Sequence, residues 1–127
     1  MSHLPLAGTI IINETKAFPL KICTSRSDII LGMSGSKTMD YALAFPLEPI
    51  NSPTLHGFWM KDCLFPLDMV FCVNGKITTI YHSVEPCLNL TNCPLHYGLT
   101  DTVIEMPGGT CKVNDIKQGD TYKFKLF

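Results

Sequence analysis

Nine glycines and nine prolines cut this 127-residue chain into short pieces. Proline removes a backbone donor and glycine weakens regular elements, so a chain interrupted this often has no room for long helices. The pieces between the breaks are rich in β-branched and aromatic residues. That pattern predicts short strands joined by turns, an all-β fold of sandwich or small-barrel type. The clearest local signal is Asn74-Gly75 between residues 67–73 and 76–81. The pair supplies the two positive-φ residues that a type I′ hairpin turn needs.

The same reading places a first hairpin at residues 9–12 and 16–24, turning at Asn13, Glu14 and Thr15, with Phe18, Leu20 and Ile22 on one face. Residues 25–33 form the one clear helix. Ser25 is placed to cap the amide three residues on, Asp28 suits the positive first turn, and Ile29, Ile30 and Met33 make an apolar stripe. A buried strand is expected at 41–45, then an exposed loop carrying Pro46, Pro49, Asn51, Ser52 and Pro53 and leading to His56. Residues 85–100 read as a long loop, 102–106 as a strand, Pro107-Gly108-Gly109 as a turn and 111–116 as one helical turn. The last strand is 121–126, with Lys123 and Lys125 on its wet face. There is no linker, repeat or low-complexity tract, so residues 1–127 are read as a single domain.

Lys plus Arg total 10 and Asp plus Glu total 11. Without clustered surplus cations there is no electrostatic case for nucleic acid. No apolar run approaches the roughly 20 residues of a spanning helix, so no membrane partner is expected. The first twelve residues lack a basic n-region and are broken by Pro5 and Gly8. The chain is therefore read as soluble and cytoplasmic, with its thiols mostly reduced. Cys23, Cys63 and Cys72 lie in apolar segments and are expected to act as small hydrophobes.

Three stretches break the simple alternation: residues 57–71, where Lys61, Asp62 and Asp68 sit among apolar residues; 85–97, with Glu85-Pro86-Cys87 and Cys93-Pro94; and 103–110, with Glu105 before Pro107-Gly108-Gly109. The order Phe58-Trp59-Met60-Lys61, Pro66-Leu67-Asp68, Pro86-Cys87, Cys93-Pro94 with Tyr97, Glu105, Pro-Gly-Gly and Gly119-Asp120 resembles the domain-of-unknown-function 192 family of small bacterial and archaeal proteins. The resemblance covers roughly residues 31–124. It implies a β-sandwich of jelly-roll type and carries no established activity. Two features depart from the family pattern: Ile30-Leu31-Gly32-Met33 stands where Arg-Gly-Leu-Met is typical, and Cys63 where Thr is more usual. Many members carry an export signal or lipid anchor, which is not visible here.

A charge is rarely buried unless paired. Lys61, Asp62, Asp68 and Glu105 therefore mark either structural ion pairs or a polar cleft, with Trp59 as core filler or cleft wall and Tyr97 at the rim. Cys87 and Cys93 are open to three readings: a loop-closing disulfide, free thiols, or soft metal ligands with His96 and with His82 or Glu85. No phosphate loop, nucleophile elbow or metalloprotease motif is present. The Asn13 and Asn89 glycosylation sequons matter only on secretion. The function expected is a non-catalytic ligand-binding or accessory domain that needs no cofactor or metal and recognises a small polar ligand or a protein. Its cleft is formed by Trp59, Lys61, Asp62, Asp68, Glu105 and Tyr97. The rivals are a small thiol- or carboxylate-dependent enzyme and a Cys/His metal module.

Overall fold

The computed structural model describes residues 1–47, 52–88 and 91–127. Pro49 and Asn51 of the expected loop, and Asn89 of the second sequon, lie outside the described residues. Among those described, the elements run β1 (Gly8–Ile12), β2 (Lys16–Ile22), α1 (Arg26–Leu31), β3 (Ala42–Pro46), β4 (Thr54–Phe58), β5 (Leu67–Val73), β6 (Lys76–Val84), β7 (His96–Thr100), β8 (Thr102–Pro107), α2 (Thr110–Val113) and β9 (Tyr122–Leu126).

Local chemistry explains most of these boundaries. Asn74 and Gly75 take φ of 50° and 76° and close the β5–β6 hairpin, as their sequence requires. Asn13 and Glu14 also take positive φ and close β1–β2. Ser25 caps α1, its Oγ accepting from the Asp28 amide at 3.1 Å. The helix stops at Leu31 because Gly32 turns to φ 53°.

Seven strands form one sheet in the order β6-β5-β8-β3-β2-β1-β9. Neighbours pair antiparallel except β2 and β3, which are parallel and joined across α1. The two edges meet at one end. Lys76 bridges Thr121, the Ile77 amide donates to the Asp120 carbonyl at 2.8 Å, and the Tyr122 amide donates to the Gly75 carbonyl at 2.9 Å. The sheet thus curls into a half-barrel, and the all-β expectation is met in its small-barrel form. The remaining strands, β4 and β7, pair as a two-stranded sheet.

Alternation along the central strands fills two cores. Ile10, Ile12, Leu20, Ala44, Val70 and Ile104 form one buried cluster, joined by Cys111 and Ile116 from α2 and the turn after it. Leu43, Phe45, Met69, Phe71 and Val103 face the other way and pack with Met33, Met60 and Cys63. Strands β3, β5 and β8 are consequently buried almost throughout, which is why their sequences are nearly continuous apolar runs. Each fully buried Phe, Leu or Met is worth roughly 1.5–3 kcal/mol.

The small sheet lies against this second face. A Cβ at Gly98 would fall 2.6 Å from the Phe71 ring, so β7 approaches β5 this closely only as glycine. Phe58 of β4 stacks at 5.3 Å from Phe45 and 6.0 Å from Phe71. The expected loop over 85–100 is corrected in its second half, because His96–Thr100 is a strand. Its partner β4 also went unread: each strand carries a glycine and is largely exposed, so neither shows the apolar alternation that marks a strand.

Candidate ligand-binding site

Glu105 sits on β8 on the same face as Val103, opposite Leu43 of β3 and Met69 of β5. Its register neighbours are therefore apolar, and it is only 3% exposed. Oε1 has no hydrogen-bond partner. Burial pushes the carboxyl up to about 8, so it is mostly protonated at neutral pH.

Above this carboxyl lies a cavity of about 270 Å³. Ile29, Ile30 and Met33 wall it from α1 and the residues just beyond; His56 and Phe58 come from β4, and Trp59 and Cys63 from the segment that follows. Gly32 passes close over the acid: a Cβ there would stand 3.8 Å from Glu105 Oε1. Trp59, 36% exposed, forms part of the open side.

The six residues expected to share a cleft separate into groups. Trp59 and Glu105 line the cavity together. Lys61 stands beside them but not within the lining, its Nζ 5.4 Å from the centre of the Trp59 ring, a contact worth about 0.5–1 kcal/mol at an exposed site. Asp62 is an exposed turn residue with φ 57°; its amide donates to the Cys87 carbonyl, and its carbonyl accepts from Gly35. Asp68 is fully buried elsewhere. Its Oδ1 accepts from the amides of Ser83 at 2.8 Å and Gly109 at 3.1 Å, and its Oδ2 accepts from Cys111 at 2.8 Å. Those bonds tie a bulge of β6 and the start of α2 to β5. Tyr97, 51% exposed, covers Gly57, and its carbonyl accepts from the Tyr81 hydroxyl at 2.6 Å. Lys61 forms no ion pair with these carboxylates; the ion pairs among the described residues are His3–Asp28 and Lys117–Asp115.

Cys87 and Cys93 are joined as a disulfide with Cα atoms 5.8 Å apart. The Cys87 backbone bonds to Met60 and Asp62, so the staple holds the stretch that follows Trp59. Cys23, Cys63, Cys72 and Cys111 are free and buried. Burial raises all four thiols, Cys23 to about 11 and Cys63 to about 12, with the negative charge of Glu105 adding to both. Protonated thiols of this kind are poor nucleophiles. Among the described residues no group of three or more His, Cys, Asp or Glu is placed to hold a metal ion. No described helix is long and apolar enough to cross a membrane.

Residues 9–124 match DUF192, a family described as "Uncharacterized ACR". The chain belongs to that family. The matched span begins well ahead of residue 31, so β1, β2 and α1 are part of the DUF192 unit. Two crystal structures share the fold. One is a protein of unknown function from Novosphingobium aromaticivorans, with a TM-score of 0.79 and 19% identity over 91% of this chain and 84% of that one. The other, a putative transcription regulator from Sinorhizobium meliloti, has a TM-score of 0.73 and 21% identity over 91% of this chain and 90% of that one. Identity this low establishes the shared fold alone. No curated protein matches the chain.

Several cavity residues of this DUF192 protein escaped the sequence reading. His56, Phe58, Leu47 and Leu95 line the site but lie on or beside β4 and β7 or at the end of β3. The available signal was the apolar stripe of Ile29, Ile30 and Met33, since a short helix with such a stripe has to cover something.

Proposed function

We propose that this DUF192 chain is a non-catalytic ligand-binding or accessory domain, and that its ligand enters the cavity above Glu105. The observation that carries this reading is a buried carboxyl oxygen with no partner, facing an open apolar cavity. A buried polar group left unpaired costs about 1–3 kcal/mol, and a ligand that satisfies it recovers that cost on binding. Trp59 supplies a wall, and Lys61 and Asp62 a polar rim. The thiol-dependent form of the enzymatic rival is disfavoured, because the loop cysteines Cys87 and Cys93 are bonded to each other and burial raises the other four thiols. A single domain over residues 1–127 goes with the proposal, supported by the pairing of β1 with both β2 and β9.

Trp59 is the only tryptophan, so its fluorescence reports on the cavity directly. Compounds with an apolar body and one polar group should quench it and raise the melting temperature. Trp59→Leu should weaken them about tenfold, roughly 1.4 kcal/mol, as read by calorimetry. Binders indifferent to Trp59→Leu would place the site elsewhere.

Cytoplasm is the compartment carried in this reading. The Cys87–Cys93 bond pulls the other way, since disulfides persist mainly in oxidising compartments. Acid-quenching producing cells and alkylating the denatured protein decides: six blocked cysteines support the cytoplasm, four contradict it.

A further inference from the structure

We propose that the cavity over Glu105 takes a small organic cation, an alkylammonium or amidinium on a compact apolar body, with its charged group against the free Glu105 oxygen. The inference rests on the ligand-binding reading above and names its ligand class.

Three observations select a cation. First, the acid has no counter-charge of its own. The register neighbours on β3 and β5 are Leu43 and Met69. The titratable groups on the surrounding elements are the thiols of Cys23 and Cys63, His56 from β4, Asp28 and the solvent-exposed Arg26 on α1, and Lys61 and Asp62 on the segment after Trp59. Of these, Asp28 and Asp62 are acids, His56 lies 2.7 Å from Thr54 Oγ1, and Lys61 stands over the Trp59 ring. Second, the cavity has aromatic walls in Phe58 and Trp59, and aromatic faces attract cations. Third, an anionic ligand would leave one uncompensated charge in a desolvated site, whereas a cation against ionised Glu105 leaves none.

The binding step balances simply. Glu105, protonated in the empty protein, gives its proton to solvent as the ammonium or amidinium arrives, leaving a neutral pair in the cavity. Affinity for cations should therefore climb with pH up to the Glu105 midpoint, while neutral compounds should show no such slope.

The test uses the full chain and three matched probe sets: benzylammonium and benzamidinium; benzyl alcohol and benzamide; benzoate. Calorimetry and Trp59 fluorescence between pH 6 and 8.5 should show the cations binding at least tenfold more tightly than their neutral counterparts at the upper end. Proton release approaching one per ligand should appear at the lower end. Glu105→Gln should abolish both the preference for cations over benzyl alcohol and the rise of cation affinity with pH. Neutral or anionic probes binding as tightly as cations, or a preference that survives in Glu105→Gln, would overturn the inference and leave the ligand-binding reading standing. Silence from all three sets would overturn both. The pH slope is read on the unaltered protein, so the inference stays falsifiable even if the variant folds poorly.

Discussion

Two acids of similar sequence context take opposite roles, and their partners explain why. Asp68 accepts from three backbone amides of Ser83, Gly109 and Cys111, whereas Glu105 leaves an oxygen unpaired beside a cavity. Removing Asp68 would strand three donors in a buried place, each costing about 1–3 kcal/mol. Asp68→Ala should accordingly lose at least ~3 kcal/mol, with Asp68→Asn intermediate because one acceptor oxygen remains. Urea unfolding measures both, and an Asp68→Ala protein of normal stability would contradict the structural role. Sequence singled out both acids as charges embedded in apolar runs. It could not separate them, because Asp68's donors come from residues 15 to 43 positions away and only the fold brings them together.

At the scale of elements, the two glycines of the small sheet make a contrasting pair. A Cβ on Gly98 would strike the ring of buried Phe71 at 2.6 Å, with packed neighbours on every side. A Cβ on Gly57 would strike Tyr97 at 2.7 Å, but that ring is half exposed and free to swing away. Gly98→Ala should therefore destabilise by about 1–3 kcal/mol, while Gly57→Ala costs clearly less. Thermal melts in parallel check the ranking, and equal losses would contradict it. Elements governed by local chemistry were legible beforehand: the Asn74-Gly75 hairpin, the Ser25 cap and the alternating last strand. Strands β4 and β7 were not, because their pairing joins residues 54–58 to 96–100 and the glycines that permit it look like turn signals. The half-barrel closure was equally hidden, resting on a bridge between Lys76 and Thr121.

For the whole molecule, the curled sheet is what makes an isolated acid possible. Strands β3, β5 and β8 are covered on both faces, so a carboxyl on β8 is desolvated wherever the covering layer closes over it. Burial raises Glu105 from about 4.5 to about 8. Between those values the folded protein keeps a proton that the unfolded chain has released, so stability is greatest below the lower value and declines as pH rises through the upper one. Glu105→Gln should flatten that decline, and denaturant titrations at pH 5 and pH 8.5 would reveal it. The same carboxyl offers the most direct test of the account. A carbon-detected NMR titration that follows the Glu105 side chain in the empty protein should give a midpoint near 8. A midpoint in the ordinary glutamate range would mean the acid is solvated or paired, and the site built upon it would not exist.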